Sequence, residues 1–311
     1  MARAFLFPGQ GSQAVNMGKD LYVAFADARD VFDEIDESLG RKLSKMIFEG
    51  PDTDLNLTEN TQPALMAVSL AVVRVLQKQG GIDLAKKAAF VAGHSLGEYS
   101  ALTAAGSFDI STTAKLLQLR GQSMQRAVPV GVGAMAAILG PAFEEVQQLA
   151  KDAGCEIAND NSVGQVVISG KKDSIDKAIA LATERGAKRA ILLPVSAPFH
   201  CSLMQPAAKI MDDALAAAKI RKPNLPVVSN VTAQSVSDPA QIHKLLVEQI
   251  TGMVRWRESV IWMKAQGVTE MIELGSGKIL NGLVKRIEKN VAVESVGTPE
   301  QIEALIHKLN S

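Results

Sequence analysis

The sequence predicts an α/β protein with a mostly parallel sheet, interrupted by a ferredoxin-like unit. Three observations predict it. Short apolar runs alternate with longer helical patterns early in the chain, the mark of a parallel sheet covered by helices. The middle carries a β-α-β-β-α-β order. The alternation then resumes, so the middle unit reads as an insertion. The implied division is a discontinuous larger domain at 1–127 and 198–311, with a small domain at 128–197.

In the first block, residues 4–7 read as a strand that ends in the loop Pro8-Gly9-Gln10-Gly11-Ser12. Residues 62–79 read as a helix, 88–92 as a strand and 96–105 as a helix. A further helix covers 111–126, with Ser111 as its N-cap. In the insertion, 134–139 is a strand and 143–153 a helix. Strands 156–159 and 166–169 are separated by Asp160-Asn161-Ser162-Val163-Gly164. Helix 175–185 and strand 189–193 complete the unit. Helix 203–218, strand 227–229, helix 240–250, strand 270–273, helix 278–288, strand 292–295 and a last helix to 309 follow.

Composition narrows the function classes. Of 311 residues, 47% are apolar and 21% charged, the proportions of a globular protein. Lys plus Arg and Asp plus Glu are 33 each, without the basic excess of a nucleic-acid binder. The two cysteines, Cys155 and Cys201, lack metal-ligand spacing and are too few for a disulfide framework. The longest uncharged stretch, 127–143, is broken by Pro and Gly and is too short to span a membrane. The apolar N-terminal run stops at Pro8-Gly9, unlike a signal peptide. The expected location is the cytoplasm.

Gly93-His94-Ser95-Leu96-Gly97 fits the pattern G-x-S-x-G, between a predicted strand and a predicted helix. A tight strand-to-helix turn explains both glycines and presents Ser95 at the carboxyl end of a strand. The following helix N-terminus offers free N–H groups to a developing oxyanion. The plain alternative is an ordinary glycine-rich turn.

A serine nucleophile needs a base. His94 is adjacent on the turn, so its ring should point elsewhere. His243 and His307 lie off the apolar faces of their helices. By elimination His200, in the loop Pro194-Val195-Ser196-Ala197-Pro198-Phe199-His200, is the base; its alternative role is a helix cap. No acid is obvious. Glu273, at a strand end, is one candidate; a dyad oriented by a carbonyl oxygen is the other.

Arg120 shares a helix face with Leu116 and Met124. A buried guanidinium needs an anion. That anion is either an internal carboxylate or the carboxylate of an acyl substrate, held bidentately.

Several separated segments resemble the malonyl-CoA:acyl carrier protein transacylases and the related acyltransferase domains of polyketide synthases. They are Phe7-Pro8-Gly9-Gln10-Gly11-Ser12-Gln13, Gly93-His94-Ser95-Leu96-Gly97-Glu98-Tyr99 and Leu119-Arg120-Gly121-Gln122. Ala197-Pro198-Phe199-His200, Ser229-Asn230-Val231-Thr232, Gln249-Ile250 and Val254-Arg255-Trp256 complete the set. The resemblance implies a serine-hydrolase-like core with an inserted ferredoxin-like domain. It implies Ser95 as the acylated nucleophile, His200 as base, Gln249 holding the histidine through a carbonyl oxygen, and Arg120 on the malonyl carboxylate. The oxyanion hole would be the backbone N–H groups of Gln10 and Leu96. Phe199 matches members selective for malonyl over methylmalonyl. Ser276 departs from relatives that often carry Pro there, which bears only on that loop's rigidity.

The substrates implied are malonyl-CoA and holo acyl carrier protein, with no metal and no cofactor beyond the coenzyme A thioester. An acidic carrier protein would dock on a basic patch, for which Lys188, Arg189, Lys285 and Arg286 are candidates, and a monomer is expected. A serine hydrolase would share Ser95 and His200 but gives Arg120 no special reason. An idle acyl-binding module would often lack one of the pair.

Overall fold

The computed structural model describes residues 2–195 and 197–311. Its ten strands form two sheets. Strands β1 (Ala2–Phe7) and β2 (Phe90–Gly93) belong to the first. Strands β3 (Gly133–Leu139), β4 (Glu156–Ser162), β5 (Gln165–Lys171) and β6 (Arg189–Leu192) make the second. Strands β7 (Val227–Val228), β8 (Ser235–Val236), β9 (Val268–Leu274) and β10 (Ala292–Val296) return to the first.

The first sheet has the order β10-β9-β1-β2-β7-β8 and is parallel except for the β7–β8 pair. Strand β1 lies at its centre, and its alternate residues serve two cores. Phe5 and Phe7 enter the larger cluster, while Ala4 and Leu6 pack with Trp256, Val260 and Met263 on the other face. Burial on both faces explains why β1 reads as a continuous apolar run.

The second sheet is antiparallel, in the order β4-β5-β3-β6, with helices Phe143–Ala153 and Lys172–Glu184 filling the ferredoxin-like pattern. It is tied to the first unit through β4. Val254 N donates to Ala158 O at 2.9 Å and Asp160 N to Val254 O at 3.0 Å.

Two local expectations are corrected. Residues Asp160, Asn161 and Ser162 extend β4, leaving only Val163-Gly164 as the turn. The reason is partnership: buried Asp160 pairs with Arg257 at 2.8 Å, and Asn161 reaches His94. The helix at 110 is capped by Asp109, whose carboxylate accepts from Thr112 N at 2.6 Å; Ser111 lies inside the helix. Elements outside those read from sequence include helices Lys19–Ala24, Ala26–Leu39, Leu43–Glu49 and Asp52–Leu55, and helix Trp256–Ala265. Among the described residues no helix is long and apolar enough to cross a membrane.

Candidate active site

Strand β2 ends at Gly93, and helix Leu96–Ala104 begins three residues later. Ser95 occupies the turn with φ 54° and ψ −111°, a conformation that L residues rarely adopt. Neither flanking glycine can carry a side chain. A Cβ on Gly93 would lie 1.9 Å from the Gly97 carbonyl, and one on Gly97 would lie 2.2 Å from Phe7 O. The loop after β1 presses equally closely. A Cβ on Gly9 would lie 2.5 Å from His94 O. This contact sets Gln10 beside the turn. Gln10 and Leu96 both line the cleft with Ser95, and Leu96 as first helical residue keeps its N–H outside the helix ladder.

His200 arrives from the other side of the cleft, also at positive φ, 58°. Its Nε2 stands 2.8 Å from Ser95 Oγ, and its Nδ1 stands 2.8 Å from the backbone oxygen of Gln249. With that carbonyl as acceptor, Nδ1 carries the proton and Nε2 faces the serine hydroxyl as acceptor. Burial, then the nearby Arg120 charge, push the His200 pKa down to about 3, against the hydrogen bond to Gln249. The imidazole is therefore neutral at physiological pH, the form a base requires.

Glu273 is not the acid of this site. It is buried at the end of β9, where it accepts from Leu280 N and Asn281 N and from Ser295 Oγ. It caps helix Ile279–Ile287, and burial raises its pKa. Cys201 donates to Pro198 O, His243 pairs with Asp212, and His307 is exposed. Ser276 Oγ donates to Ser12 O at 2.8 Å, so this loop is pinned by a side chain.

Arg120 is 1% exposed on helix Ile110–Arg126. Its Nη1 donates to Gln62 Oε1 at 2.9 Å. Its Nη2 donates to Gln249 Oε1 at 2.9 Å and to Ser95 Oγ at 3.1 Å. The guanidinium also lies 5.7 Å from the Tyr99 ring centroid. Among the described residues no carboxylate lies within ion-pair distance of it.

Four polar residues supporting this geometry had no role assigned from sequence. Gln62 is a buried amide in a run of buried polar residues with Asn60 and Thr61 at the start of a long helix, so nothing local set it apart. Asn230 accepts from Ser95 N at 2.7 Å and donates to Gly93 O at 2.7 Å, bracing the turn. Glu98 accepts from Asn230 N at 3.0 Å and Gln249 Nε2 at 2.8 Å. Burial pushes the Glu98 carboxyl up to about 7, against those two hydrogen bonds and the Arg120 charge. Asn161 takes the His94 ring at 2.8 Å, so His94 turns from the serine, as expected, yet still lines the cleft.

The cleft has a volume of about 120 Å3, and Phe199, Met135 and Leu193 are among its apolar walls. A larger cavity, about 490 Å3, lies between the two helices of the small sheet, but no serine, cysteine or histidine lines it. The chemistry belongs to the smaller one.

Lys188, Arg189, Lys285 and Arg286 are all exposed, and the structure brings the two pairs together. Arg286 Nη1 donates to Gln165 Oε1 at 2.6 Å; Gln165 pairs with Leu139, and Leu139 with Arg189. The patch sits four residues along β3 from Met135 of the cleft, or roughly 13 Å at strand rise.

The sequence matches the acyl transferase domain family over residues 4–308. It is 47% identical to the malonyl CoA-acyl carrier protein transacylase of Bacillus subtilis, covering 98% of this chain and 96% of that protein. This chain belongs to the malonyl CoA-acyl carrier protein transacylase family. The Escherichia coli member is 42% identical over 97% of this chain and 98% of its own length. Among transacylase structures, the acyl-carrier-protein S-malonyltransferase of Bartonella henselae superposes with a TM-score of 0.98 at 52% identity, covering all of both chains. A malonyl-transacylase bound to a type II polyketide acyl carrier protein superposes at 0.95 with 39% identity, covering 99% of this chain and 100% of that one.

Proposed function

We propose that this chain transfers a malonyl group from malonyl-CoA to the phosphopantetheine thiol of acyl carrier protein, through a malonyl ester on Ser95, and thereby supplies fatty acid synthesis. The observation that carries the reading is Arg120: a buried guanidinium without an internal carboxylate partner, donating to the oxygen of the nucleophile. An acyl group that brings its own carboxylate supplies the missing anion.

In the first half-reaction His200 Nε2 takes the Ser95 proton as Oγ attacks the thioester carbonyl. The N–H groups of Gln10 and Leu96 receive the oxyanion, each worth about 3 kcal/mol in such sites. The C–S bond breaks, and coenzyme A leaves with the proton from His200. In the second, His200 takes the proton of the carrier thiol, sulfur attacks the ester, and Ser95 recovers its proton. The steps balance with no cofactor beyond the thioester. Phe199 crowds a branched acyl group. The convergent basic pairs receive an acidic carrier protein. The cytoplasm is the compartment this role implies.

Intact-protein mass spectrometry tests the reading. Wild type mixed with malonyl-CoA should gain one malonyl adduct, lost on adding holo carrier protein, which gains it. Ser95→Ala should show neither. An adduct lost to water and never passed on would support a hydrolase instead.

A further inference from the structure

Behind the nucleophile, three buried side chains stand in a row on three different helices. Glu98 Oε2 accepts from Gln249 Nε2 at 2.8 Å, Gln249 Oε1 accepts from Arg120 Nη2 at 2.9 Å, and Nη2 also donates to Ser95 Oγ at 3.1 Å. Glu98 is 2% exposed, Gln249 0% and Arg120 1%. Water cannot substitute for a partner in such a row without opening it.

Only the middle member has a reversible polarity. Half a turn about its last torsion exchanges the oxygen and nitrogen of the Gln249 amide. Above about pH 7, where the buried Glu98 ionises, its carboxylate accepts and cannot donate, so the kinetic comparison is made at pH 8. The carboxylate therefore holds the NH2 end, which also donates to Ser95 O at 3.0 Å, and the carbonyl end goes to Arg120. The reversed amide would set N–H against guanidinium N–H and oxygen against carboxylate.

We propose that Glu98 is a positioning residue for substrate selection: together with the Ser95 backbone oxygen it fixes the polarity of the Gln249 amide, and through it aims Arg120 at the carboxylate of the acyl group. The inference rests on the reading of Arg120 as the malonyl clamp. The interposed amide has a second consequence. A carboxylate in direct contact would compete with the substrate's carboxylate for the guanidinium fork. One amide away, it orients the cation while leaving the buried, unpartnered Nε and the second hydrogen of Nη1 for an incoming carboxylate.

The base does not depend on this row. His200 is held by the backbone oxygen of Gln249, which side-chain substitution leaves in place. Glu98 also braces the turn through Asn230, which accepts from Ser95 N. That contact serves every acyl group alike, so a selectivity ratio separates aiming from bracing.

The test compares kcat and KM for malonyl-CoA and acetyl-CoA in wild type, Glu98→Gln, Gln249→Leu, the double variant and Arg120→Ala, with holo carrier protein as acceptor. Glu98→Gln keeps the volume but removes the anion, leaving the Ser95 backbone oxygen to hold the NH2 end without it. It should lower the malonyl-to-acetyl ratio of kcat/KM by about tenfold, mainly through KM for malonyl-CoA. Gln249→Leu should do the same, and the double variant should go no further, because both break one chain. Equal losses for the two acyl groups, or additive effects, would overturn the proposal. Should Glu98→Gln fail to fold, Gln249→Leu decides: a wild-type ratio in that variant overturns it. Arg120→Ala separates the two readings. If its ratio collapses while the Glu98 and Gln249 variants keep theirs, only the aiming role fails. If its ratio is unchanged, the clamp itself fails.

Discussion

Ser95 and His200 meet at 2.8 Å across the cleft, and both hold positive φ, 54° and 58°. Each such residue costs about 1–3 kcal/mol unless its surroundings enforce it. The enforcement is visible: Asn230 braces the serine turn, and the backbone oxygen of Gln249 fixes the histidine ring.

Burial of His200 has a signed consequence. The native imidazole titrates near 3, and the unfolded one near 6.5. Between those values the unfolded chain binds more protons, so stability falls as pH drops through that window. A nitrogen-detected NMR titration should find the His200 imidazole neutral at pH 5. A midpoint near its ordinary value would contradict the buried, carbonyl-held geometry.

Glu98 acts in the opposite sense. Its carboxyl titrates at about 7 when folded against an ordinary 4.5. Between these values the native state binds more protons, so wild-type stability falls as pH rises. Glu98→Gln lacks this titration. Urea unfolding at pH 4.5 and pH 8 should show wild type losing about 3 kcal/mol relative to the variant across the window. A constant difference would rule out the raised value.

The two glycines of the turn carry a stability prediction. Alanine at Gly93 or Gly97 drives a methyl into backbone at 1.9 Å or 2.2 Å. Each should cost more than about 3 kcal/mol in denaturant unfolding. Gly186, with φ 81° and open space around it, should lose only about 1 kcal/mol on the same change. Equal losses at all three positions would refute the close-contact explanation.

Charge reversal tests the basic patch. The double variant Lys285→Glu, Arg286→Glu should raise KM for carrier protein about tenfold at low salt, with the gap narrowing as salt rises. Formation of the acyl-enzyme from malonyl-CoA is the internal reference. Equal effects on both half-reactions would place the pair elsewhere in the mechanism.

Phe199 is the acyl-size prediction. Phe199→Ser should raise methylmalonyl transfer relative to malonyl by about tenfold, the scale of one methyl in an apolar pocket. Competition between the two thioesters, read by mass spectrometry of the carrier protein, measures it.

Much of this site was legible because chemistry and backbone sterics coincide at a few positions. The turn glycines, Ser95, His200 and the misplaced cation Arg120 each break a local pattern, and each break has a cause in the fold. Glu98 was harder to see: an acidic residue in the first turn of a helix reads as ordinary dipole chemistry, and nothing local reveals its burial. Gln249 was expected to hold the histidine through a carbonyl oxygen; its backbone oxygen makes that contact, and the role of its side chain on Arg120 was not foreseen. Helix Ala26–Leu39 buries Ala28, Val31, Phe32 and Ile35, a helical spacing obscured by the charged residues between them. Helix Trp256–Ala265 hides in the same way, with Trp256, Val260 and Met263 buried between charges.

The cleft takes Ser95 and Arg120 from one sheet's surroundings and Met135, Asn159 and Leu193 from the other's. Acyl range is thus a modular trait. Exchanging the inserted unit for a relative's would redraw one wall of the chamber while leaving nucleophile, base and clamp in their own framework. Diversification by recombination requires that the replacement keep the seam, where β4 meets Val254, Asn161 meets His94, Asp160 meets Arg257 and Glu156 meets Ser202.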